Sequence, residues 1–139
     1  MVYKFFGDTI VARIDRGEEI LRSVKSICEK ENIKLASISA LGAVDHVIVG
    51  LYKVAEKKYV PNTFDGEMEM TSLTGNVTTK DGEVYLHMHA DFADGDGNVF
   101  GGHLNEAVIS GTCELFIHTL NGTVGRKLDE VTGLNILDF

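Results

Sequence analysis

The segment Asp94-Gly95-Asp96-Gly97-Asn98 constrains this chain more than any other. Its residue types accept positive φ or fold their side chains onto the backbone in Asx-turns, so it reads as the turn of a β-hairpin. β-prone residues flank it, Val84-Tyr85-Leu86-His87-Met88-His89-Ala90-Asp91-Phe92 before and Val99-Phe100-Gly101-Gly102-His103-Leu104 after. A hairpin symmetric about Asp96 opposes residues equally distant from it. Phe92 then faces Phe100, His89 faces His103 and Met88 faces Leu104. Leu86, Met88, Ala90, Phe92, Phe100 and Leu104 share one face, which reads as core. Tyr85, His87, His89, Asp91 and His103 share the other.

That register has a chemical consequence. Side chains two apart on a strand point the same way, and directly opposed Cβ atoms lie roughly 4.5–5.5 Å apart. His87, His89 and His103 are therefore gathered into one cluster. Imidazole is the commonest side-chain ligand of divalent transition metals, and three with an open position describe a zinc site that keeps a water. The expectation is a bound metal, zinc or another divalent transition metal. Two readings compete with it. Histidines on an exposed strand face can be plain solvated polar residues, and a β-bulge at Gly101-Gly102 would shift the register by one and aim His103 at the core. Asp91, on the histidine face, and Glu106, just after His103, are the carboxylates placed to serve as general base or as a partner fixing a histidine tautomer. The chain has 21 acidic residues, so surface solvation is the plainer role for either.

The 139 residues suit a single domain over 1–139, able to bury about two thirds of its unfolded surface. No apolar run approaches the roughly 18–20 residues needed to span a bilayer, and Met1 to Asp8 does not read as a signal peptide, so a cytoplasmic location is expected. Cys28, on the apolar side of a helical stretch, and Cys113, in a strand, have no CxxC spacing and read as buried thiols; a disulfide or metal-ligand role is the alternative. A net charge of −8 with 13 scattered basic residues argues against phosphate-rich partners, which need clustered Lys and Arg. DNA binding by this chain alone is disfavoured on that ground, and no membrane association is expected.

Periodicity supplies the architecture. Thr9 to Ile14 reads as a strand, and Asp15 with Glu18 has capping-box spacing. Ile20, Leu21, Val24, Ile27 and Cys28 then recur at three and four, predicting one long helix over about 17–31 with Asn32 as its stop. β-prone segments follow at Leu35–Leu41, Val44–Tyr52, Lys57–Val60, Glu67–Leu73, Gly75–Thr78, the histidine hairpin and Val108–Leu120, with weaker ones at Val124–Leu128 and Leu134–Leu137. The fold class is α+β, a mainly antiparallel twisted sheet with the helix packed against it. Asp94-x-Asp96-x-Asn98 imitates the opening of a calcium loop, but Val99 and Asn105 stand where glycine and glutamate are required. The glycines at 95, 97, 101 and 102 lack the ending of a phosphate loop. His46 and His118 sit in alternating strands, as hydrogen-bonded structural residues or as further ligands.

Asp96-Gly97-Asn98-Val99-Phe100-Gly101-Gly102-His103-Leu104 preceded by His87-x-His89 closely resembles the PPC domain, named for plants and prokaryotes. Arg13-Ile14-Asp15-Arg16-Gly17-Glu18-Glu19 and Ser39-Ala40-Leu41-Gly42-Ala43 are similar to it too, so the likeness covers nearly the whole chain. The resemblance implies an antiparallel sheet with a helix, assembled as a homotrimer, and in some prokaryotic members zinc on three histidines, here His87, His89 and His103. Stand-alone prokaryotic members commonly carry a DNA-binding label, while the plant DNA contact belongs to a basic AT-hook. This chain has no such segment, its only arginines being Arg13, Arg16, Arg22 and Arg126. Two functions follow. One is a trimeric metal-binding protein, as a metal-dependent enzyme acting on a small polar or anionic molecule, with Arg13 pairing a substrate anion. The other is a DNA-related, regulatory or assembly module whose metal site is structural.

Overall fold

The computed structural model describes all 139 residues. The elements run β1 (Val2–Phe6), β2 (Thr9–Asp15), α1 (Ile20–Lys30), β3 (Ala36–Lys53), a 3-10 turn at Val54–Glu56, β4 (Lys58–Lys80), β5 (Glu83–Ala93), β6 (Val99–Thr119), β7 (Gly125–Leu128) and β8 (Asn135–Asp138). All strand pairs are antiparallel. The main sheet has the order β1-β2-β6-β3-β4-β5, and β6 also pairs with β5, so β3, β4, β5 and β6 close into a ring. Strands β7 and β8 form a separate small hairpin. No helix is long and apolar enough to cross a membrane.

Alternation builds the core. Ile10, Ala12 and Ile14 of β2 meet Ile117, Leu115 and Cys113 of β6 across the ladder, and all six are buried. Met70, Leu73 and Val77 of β4, with Met88, Ala90 and Phe92 of β5, cover the same interior. Each fully buried aliphatic or aromatic side chain contributes on the order of 1.5–3 kcal/mol. Helix α1 lays Ile20, Val24, Ile27 and Cys28 onto this surface, with Leu21 at its margin.

The helix starts later than the expected 17–31. Glu18 does reach back to the Asp15 amide at 2.8 Å, as capping-box spacing suggests, but it closes a turn ahead of the helix. The cap is Glu19, whose carboxylate accepts from the amides of Leu21 at 2.9 Å and Arg22 at 2.8 Å. At the other end Asn32 takes φ 53°, Ile33 N–H donates to Cys28 O at 2.8 Å and Asn32 N–H to Glu29 O at 3.3 Å. This is a Schellman stop, with Asn tolerating the left-handed residue and Ile33 buried behind it.

Segments that read as separate strands are continuous. Leu35–Leu41 and Val44–Tyr52 merge into β3, which carries register shifts at Ala40/Gly42 and Val44/His46 instead of a break. Gly42 is required there because a Cβ would meet the backbone of Thr112 and Cys113. Lys57–Val60, Glu67–Leu73 and Gly75–Thr78 likewise merge into β4, except that Lys57 itself is the left-handed residue ending the 3-10 turn, and Pro61 is placed opposite Gly50. Bulges let long strands bend around a small ring without ending, which local pattern does not signal. Strand β1 is an addition that the sequence pattern did not mark.

Candidate metal centre

The site begins with its turn. Asp94 Oδ1 accepts from the amides of Asp96 at 3.0 Å and Asn98 at 2.9 Å, and Oδ2 accepts from Asn98 Nδ2 at 3.0 Å. Gly97 supplies the positive φ, 80°. The Asn98 side chain foremost, with the turn amides, holds the Asp94 carboxyl below its ordinary pKa. This Asx network fixes the hairpin register, in which Phe92 opposes Phe100 and His89 opposes His103. There is no shift at Gly101-Gly102, so His103 stays off the core face. The ladder ends at that pair, however. Met88 does not face Leu104 but pairs with Gly75, and Leu104 pairs with Val49, because β6 leaves β5 at His103 to join β3.

The imidazoles of His87, His89 and His103 converge, with one ligand nitrogen from each lying within 4.8 Å of the others. Ring centroids are 5.1, 5.2 and 5.5 Å apart, and His87 Nε2 lies 3.2 Å from His89 Nε2. Nitrogens around a tetrahedral zinc ion stand roughly 3.3 Å apart for bonds of about 2.0–2.1 Å, so this pair already has the required separation. His89 is exposed, while His87 and His103 are half-buried. Burial, then the His103, His89 and Arg126 charges, pushes the His87 pKa down to about 4; burial and then His89 lower that of His103. Both are thus favoured in the neutral form that donates a lone pair to a metal. No fourth His, Cys, Asp or Glu joins the group.

A model of the Plants and Prokaryotes Conserved (PCC) domain matches residues 1–121. The chain belongs to the PCC domain family. Three solved structures are similar to this PCC-domain chain along almost its whole length. A metal-containing protein from Archaeoglobus fulgidus is 35% identical with TM-score 0.90, covering 100% of this chain and 99% of its own. A protein from Bacteroides thetaiotaomicron described as "putative DNA binding" is 30% identical with TM-score 0.97, covering 99% and 96%. A plant- and prokaryote-conserved protein from Pyrococcus horikoshii is 32% identical with TM-score 0.88, covering 99% and 95%. No curated protein matches.

Other candidate residues of the PCC domain lie at varied distances from the cluster. Asp91 is exposed on the histidine face and pairs with Gly101, where its carboxylate occupies the space a Cβ would fill. Glu106 follows a register shift, pairs with Ile48, and adds its charge to His46. Arg13 pairs with Glu114, eleven residues beyond His103 on β6, and is bound to Asp15 at 2.7 Å. His46 Nδ1 is 2.6 Å from Asp65 Oδ1, and His118 contacts Asp8 at 3.4 Å and Thr9 at 3.1 Å; neither joins the cluster. Cys28 and Cys113 are free and buried.

Two neighbours of the site had no sequence signal. The Tyr59 hydroxyl of β4 lies within hydrogen-bond reach of the His103 carbonyl, at 3.3 Å, and of Asn105 Oδ1, its ring edge-on to the His103 imidazole at 6.0 Å. Arg126 of β7 reaches Asn76, the residue opposite His87. Both contacts are non-local, so no spacing along the chain could mark them.

Proposed function

We propose that this PCC-domain protein binds a divalent transition metal, zinc foremost, through His87, His89 and His103, and presents its open coordination to a small polar molecule. The observation that carries this is the convergence of three imidazoles with no fourth protein ligand among the acidic, histidine or cysteine side chains. A structural zinc site is normally closed by four protein ligands, whereas three leave room for exchangeable water or substrate. When bound, the ion supplies Lewis acidity that polarises a carbonyl or lowers the pKa of water to roughly 7. His87 and His103 hold their lone pairs available through burial, and Tyr59 anchors the backbone of His103. Asp91 is the carboxylate on the same face placed to accept a proton.

The metal-containing description of the Archaeoglobus relative supports this reading. A DNA-binding role, as in the Bacteroides description, finds less support in a chain of net charge −8 without a basic cluster. Assembly as a homotrimer belongs to the proposal and is measured by light scattering. The deciding experiment is metal analysis of the purified protein beside His103→Ala, with anomalous scattering at the zinc edge. One equivalent of metal in the parent and its loss in the variant are expected. Equal substoichiometric metal in both refutes the site, and a fourth protein ligand around the located ion in the crystal structure makes it structural.

A further inference from the structure

Arg126 is the one arginine of the chain that is half-buried; Arg13, Arg16 and Arg22 are exposed. It stands on the β7–β8 hairpin, beyond the residues 1–121 that the family model matches. That hairpin is tied to β4 by Thr79 N–H donating to Val124 O at 3.0 Å. The guanidinium lies over the Tyr85 ring, with Cζ 4.7 Å from its centroid. Nε donates to Thr78 Oγ1 at 2.9 Å, Nη1 to Asn135 O at 2.9 Å and Nη2 to Asn76 Oδ1 at 2.8 Å. Thr78 is paired with Tyr85 and Asn76 with His87, so the arginine occupies the histidine face of the sheet, one cross-strand pair from His87.

Its hydrogen-bond inventory is incomplete. A guanidinium has five N–H donors, and these three bonds leave one on each terminal nitrogen. All three acceptors are neutral, and Arg126 takes part in none of the ion pairs of the chain. Three neutral imidazoles leave the charge of a divalent ion uncompensated, and Arg126 adds another positive charge beside it. The result is a local excess of cation in an acidic protein, with two unused donors and no internal counter-anion. Arg fixed by neutral partners and held over a ring is preorganised for a planar anion.

We propose that the histidine cluster and Arg126 together bind a small carboxylate that carries a second oxygen donor, its carboxylate held by the guanidinium and its other oxygen directed to the metal position. This rests on the three-histidine metal reading and names the class of molecule the site takes. It also divides the work between two parts of the chain: the β5–β6 hairpin supplies the ligands, and the β7–β8 hairpin selects the anion.

The test is calorimetric titration of the zinc-loaded full chain with malonate, a dicarboxylate that satisfies both contacts, for the parent and Arg126→Met. Zinc content and the thermal midpoint are measured on each sample. Malonate binding that weakens roughly tenfold or more in Arg126→Met at unchanged zinc stoichiometry is the expected result, as for loss of a hydrogen bond to a charged group. Equal malonate affinity in both, or no malonate binding to the zinc-loaded parent, overturns the proposal while leaving the metal site standing. Failure of the parent to take up zinc removes both. Because Arg126 also ties the two hairpins together, a second measurement needs no variant: the arginine Nε–H resonances of the parent are followed as malonate is added. The Arg126 signal should move in the zinc-loaded protein and stay still in the metal-free one; a signal unmoved in both overturns the assignment.

Discussion

Replacing Gly102 by alanine separates the scaffold of the site from its ligands. A Cβ at this position would stand 2.7 Å from the carbonyl oxygen of Gly50 and 3.3 Å from its amide nitrogen. Close carbon–oxygen contacts between strands run about 3.3–3.6 Å, so β3 and β6 must part by roughly 0.6 Å. Both obstructing atoms are backbone in the middle of a ladder, and no flexible side chain can absorb the shift. Overpacking of this kind costs about 1–3 kcal/mol. Taking ~2 kcal/mol, and an unfolding entropy of roughly 0.3 kcal/mol/K for a chain of 139 residues, the thermal midpoint of metal-free Gly102→Ala should fall by about 7 °C. His103 is the next residue and pairs with Gly50 itself, so it moves with the strand. Metal ligation tolerates only about 0.2 Å in bond length, and zinc affinity should drop roughly 10–100-fold, the range seen when support behind a ligand is lost. His103→Ala is the contrast: it removes a half-buried ligand without a clash, abolishing stoichiometric zinc while the metal-free melt changes little. Thermal melts and zinc titrations of the two variants check this. A Gly102→Ala protein that melts and binds zinc like the parent would refute the claim that β3–β6 contact sets His103.

Three further outcomes are expected. Glu19→Ala removes the helix cap and leaves the Ala107 amide, bonded to Glu19 Oε1 at 3.2 Å, without its partner, so urea unfolding should show a loss of about 2–4 kcal/mol. Burial pushes the thiols of Cys28 and Cys113 up to about 12, so neither should react with a thiol reagent at pH 8 until denaturant is added. The folded-state pKa of His87, about 4 through burial and its cationic neighbours, lies below the unfolded value near 6.5. Its contribution to metal-free stability is therefore full above about pH 6.5 and is lost as pH falls toward 4, and His87→Ala should flatten the denaturation profile across that window.

What was legible in the sequence was local. Asp94 and Asn98 carry their turn chemistry in their own side chains and Gly97 in its freedom to take positive φ, so the register that joins His89 to His103 is legible in the local sequence. Ile20, Val24, Ile27 and Cys28 showed the helix face in the same way, and Asn32 its stop. The strand ends were not legible, because Gly42 and Pro61 look like breaks where the structure uses a bulge and a close approach. Asp15 and Glu18 carry capping-box spacing, but the cap is Glu19, whose carboxylate also takes the distant Ala107 amide, a contact no local spacing marks. Tyr59 and Arg126 lay beyond reach for a different reason. Their meaning comes from partners 44 and 50 residues away, His103 and Asn76, and that separation carries no periodic trace.

The position of the cluster follows from how the ring of strands closes. His103 is paired at once with His89 on β5 and with Gly50 on β3, so it marks the point where β6 changes partner. Three backbones can meet there only if side chains are absent, and Gly50, Gly101 and Gly102 provide that: a Cβ on any of them would strike a facing chain. A glycine pair beside a histidine is thus a closure device that leaves one ligand projecting where the two sheet edges diverge. Ligands held this way are rigid and need no loop to assemble them, which suits a metal. The same rigidity means that the hairpin alone cannot adapt to a particular ligand. Under the proposal selectivity comes from a group delivered by another element, the guanidinium of Arg126, whose hydrogen-bond partners on that face are all neutral.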